Sequence, residues 1–87
     1  RRGLIEFVRC RRVNVTGTQV LDGTPNGLYL EDCSDTVISG CTVLDDREPQ
    51  KMRAAIRWLG PGSGNMITQS RLGTGTETDL DVPITSR

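Results

Sequence analysis

The ten residues from Val13 to Asp22 return as Thr36 to Asp45, 23 residues on, with Val15 falling on Ile38, Gly17 on Gly40, Val20 on Val43 and Asp22 on Asp45. Self-similarity at a fixed period of this size marks stacked supersecondary units, each hiding its apolar face on its neighbour. Superposing Cys10 on Cys33 extends the match upstream, setting Ile5 on Leu28 and Phe7 on Leu30. Within each unit the apolar residues come two apart, as in Ile5/Phe7, Leu28/Leu30, Thr18/Val20 and Cys41/Val43. That is strand periodicity, and the expected class is all-β.

Each unit divides into three short strands, placed in the second unit at Leu28 to Glu31, Thr36 to Ser39 and Cys41 to Leu44. Gly17 and Gly40 stand between the second and third strands, where a sharp corner calls for a residue that accepts positive φ. A third unit follows at Ile67 to Leu72, 29 residues after Ile38 to Val43. The extra length is assigned to residues 45–53, a polar insertion that precedes a strand from Ala55 to Leu59. A fourth unit is expected from Leu80-Asp81-Val82, with Pro83 suited only to an edge or a strand end. A competing reading starts a helix at Pro49 and ends it at Gly60, with Met52, Ala55, Ile56 and Leu59 on one face. The strand is preferred, because the turn-rich run 60–65 and the Ile67 strand follow in the order that the earlier units set.

Gly27 to Val43, and the next coil from Ala55 to Gly60 and Gly64 to Thr68, resemble the repeat of the right-handed parallel β-helix, the pectate-lyase-like superfamily. The resemblance spans roughly residues 4 to 72. It implies a right-handed parallel solenoid of about three coils and an extracellular, cell-surface or periplasmic setting. Such coils occur in lyases, hydrolases, epimerases, phage tail proteins and adhesins, so the fold leaves activity open. The 87 residues open on Arg1 rather than Met and are read as one partial domain of a longer chain, whose flanking coils would be its first partners.

Rungs of such a stack lie about 4.8 Å apart, so equivalent side chains form columns along its axis. The expected interior columns are Ile5/Leu28/Ile56, Phe7/Leu30/Trp58, Val15/Ile38/Ile67 and Val20/Val43/Leu72. Between the first two, on the outer face of the first strand, fall Glu6, Tyr29, Arg57 and Asp81. In the resembled family that face carries the polysaccharide groove, and an aromatic ring beside charged groups can stack on a sugar and bond its hydroxyls. These four are the substrate-binding candidates, and a polysaccharide or oligosaccharide is the expected partner. The competing account makes Arg57 and a neighbouring acid an ordinary cross-strand pair, within a structural or adhesive solenoid.

Catalytic residues are not assigned. Glu6 and Asp81 would lie three rungs apart, about 14 Å, beyond the roughly 5–9.5 Å of paired glycosidase carboxylates. An arginine is the base in pectate-lyase-like β-elimination, but neither the calcium-binding acids nor the arginine motif of that reaction has a counterpart here. The clustered aspartates and Gly-His-Gly of polygalacturonases are missing as well.

The chain has no histidine, which removes Ser-His, Cys-His and His-metal chemistry from these residues. Cys10, Cys33 and Cys41 lack C-x-x-C spacing and are read as small buried side chains, so no metal site is expected. Asp22, Asp45 and Asp46 gather near one corner and could hold Ca²⁺ with backbone oxygens, but a solvated acidic turn is the preferred reading, since neither EF-hand spacing nor a Gly-rich calcium repeat is present. Eleven basic and eleven acidic side chains balance, which speaks against a nucleic-acid or anionic-membrane partner. No apolar run approaches the roughly 18 residues of a membrane span.

Overall fold

The computed structural model describes residues 1–78 and 84–85. Among them every element is a strand, and every strand pairing is parallel. The first circuit of chain runs through β1 (Ile5–Val8), β2 (Asn14–Thr16) and β3 (Gln19–Leu21). The second runs through β4 (Asn26–Glu31), β5 (Val37–Ser39) and β6 (Thr42–Leu44). The third comprises β7 (Ala54–Leu59), β8 (Met66–Thr68) and β9 (Arg71–Leu72), and β10 (Thr76–Thr78) and β11 (Ile84–Thr85) belong to a fourth. Like strands of successive circuits stack into three sheets, ordered β1-β4-β7-β10, β2-β5-β8-β11 and β3-β6-β9. The described residues thus form a solenoid-like stack of parallel strands.

Register follows the repeat residue by residue. Ile5 pairs with Leu28 and Leu28 with Ile56; Phe7 pairs with Leu30 and Leu30 with Trp58. Val15, Ile38 and Ile67 form the column of the second sheet, and Val20, Val43 and Leu72 that of the third. These columns meet in a single core, where Leu28, Leu30, Ile38, Val43, Ile56 and Trp58 are fully buried. Each such aliphatic side chain is worth about 1.5–3 kcal/mol of burial, which fixes register: a slip of one residue would turn a whole column outward.

At the corner between the second and third sheets Gly17 and Gly40 adopt φ of 59° and 64°, as their type predicts. Gln69 makes the same turn in the third circuit at 52°. The middle of the chain is strand, since β7 bonds to β4 on one side and β10 on the other, and no helix occurs among the described residues. The fourth circuit starts earlier than the repeat suggests. The link Gly73–Gly75 is short, and the Gly75 carbonyl accepts from Ala55 N (3.0 Å), drawing the chain back into the first sheet at Thr76. Leu80 to Pro83, where that circuit was expected to begin, lie outside the described residues.

Candidate functional site

Three of the four candidate residues share one column on the outer face of the first sheet. Glu6 of β1 pairs with Tyr29 of β4, and Tyr29 with Arg57 of β7, on consecutive rungs. Strand alternation turns all three away from the core, because their neighbours Ile5, Phe7, Leu28, Leu30, Ile56 and Trp58 turn in. Asp81 lies outside the described residues, and the place beside Arg57 on the fourth rung belongs to Glu77. The early return of the chain at Gly75 accounts for that exchange.

Glu6 is exposed and Arg57 half-exposed, but Tyr29 retains only 4% of its accessible surface. Its cover is the segment that precedes β1. Leu4 N donates to Asn26 O and Gly27 O, Asn26 Nδ2 donates to Arg2 O (2.9 Å), and Gly3 lies so close to Tyr29 Cβ that a side chain there would strike it. The Arg2 guanidinium lies over the Tyr29 ring, 5.4 Å from its centroid. Its Nη1 donates to Glu31 Oε1 at 2.7 Å and to the Tyr29 hydroxyl at 3.3 Å, and that hydroxyl donates to Glu31 Oε1 at 2.6 Å. Glu6 Oε2 accepts from the backbone N–H of Arg2 (2.5 Å) and of Gly3 (3.3 Å).

Electrostatics follow the contacts. The Arg2 backbone N–H is the main cause holding the Glu6 carboxyl below its usual range. The hydrogen bond to Glu31, then burial, push the Tyr29 phenol upward. The arrangement therefore contains an aromatic face and the Glu31 carboxylate with a cation already seated on both, while the Glu6 carboxylate holds the backbone of that cation's residue. Arg2 and Glu31 were not among the residues expected from the sequence. Glu31 stands two places after Tyr29 on one strand, so period-2 alternation marks it as a neighbour on the same face. Nothing local in the sequence marks Arg2.

A second polar cluster organises residues 45–53, between β6 and β7. Asp45 Oδ1 accepts from Arg47 N (3.1 Å) and Nε (2.8 Å), and Oδ2 accepts from Arg47 Nη2 (3.0 Å), Lys51 N (2.6 Å) and Met52 N (2.7 Å). The carboxylate is buried, and the Arg47 bonds are the first cause driving its pKa far below the usual range. Arg47 also donates to Thr24 Oγ1 and Gly23 O, tying the loop to the previous rung, and Met52 tucks into the core. Asp45 is thus no solvated acid: the loop wraps around it because its donors converge there. Asp22 Oδ1 accepts from Asp46 N at 3.0 Å. Among the described residues no three Asp, Glu, Cys or His side chains gather closely enough to hold a metal ion.

Cys33 and Cys41 are buried, Cys10 is half-buried, and all three are free thiols. Burial raises the Cys33 pKa, so its thiol is a packing group rather than a nucleophile. No family model matches the chain, and neither does any curated protein or solved structure.

Proposed function

We propose that these coils belong to a right-handed parallel β-helix of the pectate-lyase-like kind, and that the outer face of the first sheet lies along a polysaccharide. The observation that carries this reading is the single column formed by Glu6, Tyr29 and Arg57. Rungs about 4.8 Å apart present hydrogen-bonding groups of both signs along one line, the layout an extended sugar chain requires. A polysaccharide partner in turn places the protein outside the cell or in the periplasm. The role proposed for the column is binding.

Acidic, neutral and basic oligosaccharides are titrated into the chain in turn, and at least one class is expected to move the Tyr29 and Arg57 resonances and leave those of the third sheet in place. Tyr29→Leu, which keeps apolar cover over the sheet, is expected to abolish the Arg57 shifts without loss of fold. Uniform or absent shifts for every sugar would refute the reading. No ultraviolet absorbance from unsaturated products is expected, so lyase turnover by these residues would also contradict a purely binding role.

A second reading, a structural or adhesive solenoid in which the columns only pack, draws on a specific observation. Arg2 already occupies the face of the Tyr29 ring that a sugar would stack on. Under that reading Tyr29→Leu alters stability alone.

A further inference from the structure

Tyr29 and Glu31 hold a guanidinium from their own chain, and they hold it as a ligand would be held. The cation lies over the ring, one of its nitrogens bridges the Glu31 carboxylate and the phenol oxygen, and Glu6 closes the adjacent rung. The ring quadrupole and the carboxylates act in the same direction, since each favours positive charge at that point. The occupant is loosely kept. Arg2 leaves 62% of its side chain in water, while its backbone is anchored separately through Glu6 and Asn26. Rotation about the side-chain bonds therefore vacates the ring without unpicking the segment beneath.

We propose that this cluster is a cation-binding subsite of the polysaccharide face, that Arg2 fills it in cis, and that the sugar it takes carries a free amino group in its ammonium form. The inference rests on the polysaccharide reading above and narrows it to amino sugars. An ammonium on a pyranose meets the same three groups that the guanidinium meets now: the ring face, the Glu31 carboxylate and the phenol oxygen. A neutral N-acetyl group has no charge to offer the ring or the carboxylates. An acidic sugar would be repelled by Glu6 and Glu31. Arg2 is then a built-in competitor, present at the high effective concentration of a tethered group, and its removal strengthens binding.

Tyr29 is the sole tyrosine, so its ring resonances report the subsite without ambiguity. The probes are glucosamine oligomers, their N-acetylated counterparts and methylammonium, each titrated into the wild-type chain and into Arg2→Ala. Glucosamine oligomers are expected to shift the Tyr29 ring in both proteins, about tenfold more tightly in Arg2→Ala as the tethered competitor is lost. Methylammonium is expected to shift it in Arg2→Ala, and the N-acetylated oligomers in neither. Should Arg2→Ala fail to fold, Arg2→Gln keeps an amide donor, removes the charge and gives the same test. Equal binding of amino and N-acetylated oligomers would overturn the amino-sugar inference and leave the polysaccharide reading standing. A Tyr29 response to methylammonium with none to any oligosaccharide would overturn both the sugar assignment and the polysaccharide reading. Silence of the Tyr29 ring toward methylammonium in both variants would show that there is no cation subsite.

Discussion

Gly40 turns the chain at φ 64°, and a Cβ added there would meet nothing closer than Gly17 N at 3.9 Å. Gly40→Ala therefore probes backbone conformation alone, with an expected loss of about 1 kcal/mol and no change in the denaturant slope. Gly27 is the opposite case: a Cβ would strike Val43 Cγ1 and the Ala55 carbonyl, neither of which can yield. Gly27→Ala is expected to cost about 1–3 kcal/mol as overpacking, measurably more than Gly40→Ala in the same urea titration. Asp45 sets the pH dependence. Its folded pKa is depressed, so its stabilising effect is complete above the unfolded carboxyl value of about 3.9 and fades as pH falls toward the lower folded value. Asp45→Asn is expected to lower the melting temperature by roughly 4–8 °C at neutral pH, and the gap from wild type should begin to narrow below about pH 4 and shrink progressively in stronger acid. A gap that widened in acid would show that Asp45 is not the group holding the loop.

At the scale of strands, position within a column decides what a side chain is worth. Leu28 is flanked above and below by Ile56 and Ile5 and is fully buried, whereas Ile5 has a neighbour on one side and stays partly in water. Leu28→Ala is expected to cost about 2–5 kcal/mol, and Ile5→Ala about 1–2 kcal/mol, because less apolar area leaves water there on folding. Equal costs in chemical denaturation would mean that the rungs do not stack as described. These columns were legible in the sequence because a solenoid repeats its packing problem, so each circuit restates the inward positions of the last. The cover over Tyr29 was not. Strand periodicity says that Tyr29 points outward, but the path of Arg2 to Leu4 across it depends on Leu4 N finding Asn26 O in the next circuit. Likewise Asp45 reads as a solvated turn acid, since its partners Lys51 and Met52 reach it only through the shape of the loop. The fourth rung was misplaced by counting a full period where Gly73–Gly75 cut it short.

For the whole molecule, the sheet orders place β1, β2 and β3 together at one end of the stack. Three parallel edges thus face the same way, and an edge strand with free N–H and C=O groups is a template for another chain. The apolar columns open at the same end: Ile5, Phe7, Cys10 and Val13 pack on the core but are only partly buried, while Leu28, Leu30 and Cys33 one rung on are completely so. Backbone and side chains together favour a further layer there. The 87-residue chain in isolation is accordingly expected to self-associate, with a weight-average sedimentation coefficient that climbs with concentration. Phe7→Lys tests the cause, because an inward-pointing charge on an edge strand opposes pairing while the half-buried position leaves the ammonium a route to water. It should suppress association and preserve the fold. Leu30→Lys, on the same column but fully enclosed, should unfold the chain instead, since an unpaired charge would lose its hydration with nothing in return. If wild type and Phe7→Lys both sediment as monomers at every concentration, or associate equally, the open rung is not what brings copies together.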